Sequence, residues 1–191
     1  MNSYISVINA ALLKLGVKPI VSIEDQVDGA RYAKLRYDSV RQRCIAEHTW
    51  NFARKRVSLA HLSTTPAFQY GYQFQLPSDL IRLGDPGITD FSVEGNLLLC
   101  DDATIDLIYF ADITDPTQWP AYFVELVVVS LAFELCTALT QSAELKAQLT
   151  DELSGTEKKA KFRNAREQAQ RVFRAETHLD SRRNQHVGEF Q

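Results

Sequence analysis

The chain has 191 residues, 45% apolar and 24% charged, with a net charge of −3, which suits one globular domain with a real core and excludes a disordered or collagen-like polypeptide. The charge is uneven: residues 154–191 hold nine Lys/Arg against five Asp/Glu, and the remainder twelve against nineteen, so an acidic body carries a basic end. Cys44, Cys100 and Cys136 are far apart with no CxxC or Cys/His cluster, which points away from a zinc site or disulfide framework and toward a reducing site of synthesis.

The first residues, Met1-Asn2-Ser3-Tyr4, lack the basic and apolar runs of a secretory signal. Ile5, Ile8, Leu12 and Leu15 form one apolar stripe and predict a helix over 3–15, with Gly16 placed to end it. A link containing Pro19 follows, and Ser22-Ile-Glu-Asp25 has the form of a helix start. The recurrence of Val27, Ala30, Ala33, Tyr37, Val40 and Cys44 predicts a helix over 25–48, with Arg31, Lys34, Arg36, Arg41 and Arg43 on its other side.

The string EHTWNFARKRVSL, 47–59, closes that helix and opens a β-rich insert over 50–113. Thr49 begins the β run, and Val57 and Leu59 alternate with polar neighbours. Residues 72–76 alternate as a half-buried strand does, Pro77 ends them, and 84–87 is a turn. FSVEGNLLLC and TIDLIYFAD predict a hairpin or meander, with a turn at Glu94-Gly95-Asn96 and another at Asp101-Asp102. Pro120 suits the first turn of a helix over 121–141 that is apolar nearly all round. Its two carboxylates, Glu125 and Glu134, argue for burial in protein over a membrane span. A last helix is expected over 143–175, with a break near Ser154-Gly155 and a seam of Leu145, Leu149 and Leu153, then Phe162, Ala165, Ala169 and Val172. Residues 1–175 read as a single domain and 176–191 as a flexible polar tail.

The sequence has no P-loop, GxGxxG, HExxH or GxSxG, and no cofactor or metal is expected. His48, at a helix end, reads as a cationic cap. Glu125 or Glu134, in apolar surroundings, would serve as a general acid if the pKa were raised, or as one half of an ion pair with an arginine of a neighbouring helix or subunit. Arg54-Lys55-Arg56 beside aromatics would hold phosphate while rings stack on bases. In a strand, however, Arg54 and Arg56 point to one face and Lys55 to the other.

Taken in order, ISVINAALLKLGVKPIVSIED, HTWNFARKRVSL, YGYQFQLPSDLIRL and TQWPAYFVELVVVSLAFELCTALT resemble the head–tail adaptor (connector, or head-completion) proteins of tailed bacteriophages, closest in type to the tail tubular protein A family. The resemblance covers about residues 3–150, and its most specific pieces are Trp50-Asn51-Phe52-Ala53 and Tyr72-x-Phe74-x-Leu76-Pro77-x-Asp79. It implies a mainly α, α+β fold: an antiparallel helical bundle with a small antiparallel β insertion and an extended C-terminal arm. It also implies a virion protein, made in the host bacterial cytoplasm, that forms a ring of about twelve copies between the portal protein and a tail or nozzle protein. Such a ring seals the head, and double-stranded DNA passes its lumen without sequence-specific binding.

On that reading, Arg171, Arg174, Arg182, Arg183 and Phe190 are candidate portal contacts. Arg54, Arg56, Glu125 and Glu134 are candidate subunit contacts, and Trp50, Phe52, Tyr72, Phe74 and Pro77 are core. Neighbouring copies would help cover the apolar helix, and no membrane takes part. A peptidoglycan hydrolase using Glu125 or Glu134, and a DNA-binding module of a virion, are the alternative readings.

Overall fold

In a computed structural model of the chain, residues 3–167 are described. Helix α1 spans Tyr4–Lys14 and α2 spans Asp28–Ala46. Six strands follow: β1 Arg54–Ala60, β2 Tyr72–Gln75, β3 Leu80–Leu83, β4 Ser92–Glu94, β5 Leu97–Cys100 and β6 Thr104–Ala111. Helices α3, Ala121–Thr140, and α4, Ala143–Arg166, complete the order.

Local chemistry sets most helix ends. Ser3 and Ser6 cap each other's backbone N–H groups at the start of α1, an arrangement that stabilises a helix terminus by about 1 kcal/mol. Beyond its last turn Gly16 adopts φ +70°, and the Gly16 and Val17 N–H groups return to the Leu13 and Leu12 carbonyls, the two bonds of a Schellman ending. The predicted start of α2 at Ser22–Asp25 is a turn instead. Asp25 accepts from the Val21 and Ser22 N–H groups, and the helix begins three residues later at Asp28.

The expected helical bundle with a small β insertion is not what forms. The described residues build a mixed α+β fold with two three-stranded antiparallel sheets, ordered β1-β6-β3 and β2-β5-β4. The β part is no appendage: Phe74, Leu98, Ile105, Leu107 and Phe110 belong to the same buried core as Ile8, Tyr37 and Leu131 of the helices. Strand β3 has no expected counterpart, because Leu80–Leu83 is too short to show a period. The expected β run from Thr49 also fails, since Asn51–Ala53 make a 3-10 turn before β1.

Helix α3 lies in the middle, packed against α1, α2 and α4. It is long and apolar enough by composition to cross a membrane, yet 56% of its apolar window is buried within the chain. The cover expected from neighbouring copies is thus largely supplied by its own helices. Helix α4 runs unbroken through Ser154-Gly155, so its buried positions are Leu149, Thr156, Ala160 and Asn164. The expected seam through Phe162 is out of phase, and Phe162 is exposed. The extended C-terminal arm, the tail 176–191 and the helix beyond Arg166 lie outside the described residues.

Arg41, expected on the polar side of α2, is buried. Its Nε and Nη2 donate to the two oxygens of Asp112 at 2.9 Å each, and Nη1 reaches Asp38. The pair joins α2 to the residue leaving β6. Burial opposes ionisation of Asp112, but the bonds from Arg41 and Gln42 outweigh it and hold the carboxyl below its ordinary range.

Candidate partner-binding surface

The junction from α2 into β1 is built around Trp50. Its ring is fully buried, edge-on to Phe123 at 5.2 Å and beside Tyr122 at 6.1 Å. Its Nε1 donates to the Cys44 carbonyl at 2.7 Å, so the ring satisfies its one polar atom on the last turn of α2. Phe52 is part-buried and packs on Phe123 at 4.6 Å. Phe74 is buried, and Tyr72 and Pro77 are part-buried.

The far end of α4 is fastened to this junction by an amide that no sequence pattern flagged. Asn164 Oδ1 accepts from the Asn51 N–H at 2.9 Å, and Nδ2 donates to the Thr49 carbonyl at 3.0 Å. Asn51 Nδ2 returns to the Asn164 carbonyl at 2.7 Å. The two backbone partners fix which atom of the amide is oxygen. Nδ2 therefore donates to His48 Nε2 at 3.2 Å, so that ring nitrogen is the acceptor. Burial, followed by the nearby Lys161 and Arg82, lowers the imidazole pKa. His48 is a neutral acceptor in place of the expected cationic cap. Arg82 faces the end of α2, donating to the Ala46 carbonyl at 3.3 Å.

The latch has an electrostatic consequence. It sets the last turns of α4, where Lys161 is ion-paired with Glu157, beside the arginines of the first sheet. On the outer face of that sheet Arg54, Phe110 and Arg82 stand in one row across β1, β6 and β3. At about 4.8 Å per strand, the two arginines start about 10 Å apart. Arg56 and Ile108 form the next row. Thr49, Arg54, Arg82, Leu83, Gly84, Asp85, Ile108 and Phe110 line a cleft of about 330 Å³, so one carboxylate stands beside its two arginines, and a hollow of about 410 Å³ is lined by Arg56 and Asp106 among others. The side chains of Arg54 and Arg56 have no ion-pair or hydrogen-bond partner among the described residues. Lys55, on the other face, pairs with Asp79 at 2.7 Å. Gly84 shapes the rim: a Cβ there would meet the Ile108 carbonyl oxygen at 2.6 Å, so only glycine allows this approach.

Of the two carboxylates, Glu134 makes the expected ion pair with arginines of a neighbouring helix, and Glu125 makes none among the described residues. Glu134 is held within the chain, by Arg36 at 2.7 Å and Arg43 at 2.6 Å. Burial opposes its charge, but these bonds prevail and lower its pKa. Glu125, one turn into α3, is exposed and makes no contact with Glu134. The structure therefore brings together neither these two carboxylates nor Glu134 and Arg54. Arg171, Arg174, Arg182, Arg183 and Phe190 lie outside the described residues.

The second sheet has the opposite character. No Lys or Arg occurs between residues 83 and 145. Asp90 and Asp101 converge on the loop before β2, accepting from the Tyr70 hydroxyl at 3.3 Å and the Gly71 N–H at 2.8 Å. Asp102 adjoins them, whereas Glu94, paired with Leu97, lies at the opposite end of β5. One end of the β part is thus basic and the other acidic. Neither known family models nor curated proteins yield a match to this chain.

Proposed function

We propose that the chain is a non-catalytic virion part, a head–tail adaptor that assembles in a ring between the portal and the tail of a tailed phage. The observation that supports this reading best is the separation of charge within the β part. Arg54 and Arg56, without partners among the described residues, flank a cleft floored by Ile108 and Phe110, away from a sheet that has acids and no Lys or Arg, and two such surfaces on one chain suit contact between like copies. The order of motifs in the sequence supplies the phage context. Glu134, committed to two guanidiniums and held ionised, is poorly suited to act as the general acid that a glycan hydrolase needs.

The test is capture by the immobilised portal protein of the same phage. The full chain is expected to bind in several copies per portal, and removal of residues 176–191 is expected to weaken capture without unfolding the domain. Absence of capture by the full chain would remove the adaptor role.

A further inference from the structure

The loop between β1 and β2 presents Phe68 to solvent with 81% of its surface exposed. The next residue, Gln69, has φ 77°, a left-handed conformation that non-glycine residues seldom adopt and that clusters at functional positions. The loop is nonetheless held at both ends. Leu62 N–H donates to the Gln73 carbonyl at 2.8 Å, and Asp90 and Asp101 hold Tyr70 and Gly71. Phe68 is therefore an apolar knob on a braced support, close in sequence to Tyr70 and Gly71, whose partners Asp90 and Asp101 have no ion pair among the described residues.

The cleft at the other end of the sheet is its complement. Its floor is Ile108 and Phe110, its walls are Arg54 and Arg82 with Asp85 beside them, and its 330 Å³ exceeds what a benzyl group fills. An aromatic ring between guanidiniums gains cation–π attraction as well as burial. The knob cannot reach its own chain's cleft. It is tied beside Asp101, and β6 carries the chain from Thr104 to Phe110, roughly 20 Å at ~3.3 Å per residue.

We propose that the Phe68 loop of one copy docks in the Arg54–Arg82 cleft of a second copy, with Asp90, Asp101 and Asp102 approaching Arg54 and Arg56. The contact rests on the adaptor reading for its setting and names the surfaces by which neighbouring copies meet. Because knob and cleft lie at opposite ends of the β part, the contact is head-to-tail and closes into a ring when the rotation between copies permits.

Sedimentation velocity of the full chain at low salt tests it, with Phe68→Ser and Arg54→Glu as variants. Both side chains are exposed, and near-UV circular dichroism checks that each variant folds; Phe68→Ala and Arg54→Gln replace any that does not. The wild type is expected to self-associate, less so at moderate salt, and each substitution is expected to weaken association at least tenfold. An equal mixture of the two variants retains one live knob and one live cleft, and should form heterodimers that grow no further. A wild type that stays monomeric, or a Phe68→Ser chain that associates like the wild type, overturns the contact. So does Arg54-dependent binding of a duplex DNA that leaves self-association unaffected by either substitution. Portal capture by the same preparations is scored separately: capture without self-association sinks the contact and leaves the adaptor reading standing.

Discussion

Asn164, near the end of α4, and Asn51, at the start of the turn into β1, bind each other reciprocally: each side-chain amide engages the other residue's backbone. The link spans 113 positions of sequence and decides where the basic end of α4 sits. Replacing Asn164 by Leu removes the side chain that the Asn51 N–H and the Thr49 carbonyl bond in a part-buried setting. The expected cost is about 2–3 kcal/mol, read as a lower urea midpoint, with faster amide exchange in the last turns of α4 than in α3.

His48 gives the latch a pH dependence. Burial, Lys161 and Arg82 place its folded pKa below the ordinary 6.5, so on acidification the unfolded chain takes up the proton first. The stabilisation is complete above pH 6.5 and is lost as the pH falls through that value toward the folded pKa. Urea midpoints at pH 7.5 and 5.5 should show a loss in the wild type that is smaller in His48→Gln. Equal losses in both would exclude His48 as the cause.

The buried pair of Arg41 and Asp112 should respond asymmetrically. Asp112→Ala leaves a guanidinium that is 5% exposed with the exposed Asp38 as its remaining charge partner and is expected to cost about 3 kcal/mol, whereas Arg41→Met combined with Asp112→Leu should come close to wild-type stability. Asp112 and Glu134 both have depressed folded pKa values. Their contribution is present above their ordinary pKa values and lost as pH falls through the folded ones, so the double variant should flatten the acid limb of the stability curve.

Trp50→Ala removes a fully buried ring and its bond to Cys44, and is expected to cost about 3–5 kcal/mol in a urea melt. Trp50→Phe keeps most of the apolar contact but leaves the Cys44 carbonyl unpaired, and should fall between the two. A Trp50→Ala chain as stable as the wild type would refute the core role.

The helices were legible because their periods are long. Ile8 and Leu12 in α1, and Ala33, Tyr37 and Val40 in α2, repeat at helical spacing and are buried. Where the reading went astray, a local rule was taken for a global one. A capping-box string at Ser154 suggested a break and reset the phase of α4, which moved the seam onto exposed Phe162. Running the period unbroken from Leu149 would have reached Ala160 and Asn164. Arg41 sits at the edge of the apolar stripe, and only its distant partner Asp112 makes burial tolerable, which no local pattern encodes. The β4–β5 hairpin was legible from its Glu94-Gly95-Asn96 turn, but the double-sheet architecture was not: β6 follows Asp101-Asp102 without pairing with β5 and joins β1 and a β3 only four residues long. For the candidate surface, the basic triplet was visible in the sequence. Its union with Arg82 and Lys161 depends on strand register and on the Asn51–Asn164 latch.

The central claim is that this chain acts by fitting against copies of itself beneath a portal. Electron microscopy of the purified full chain mixed with that portal tests this most directly. The account predicts a closed ring of identical chains seated on one face of the portal, in which adjacent copies meet through their β parts. Portals that remain bare, or that carry isolated chains with no contact between neighbours, would contradict it.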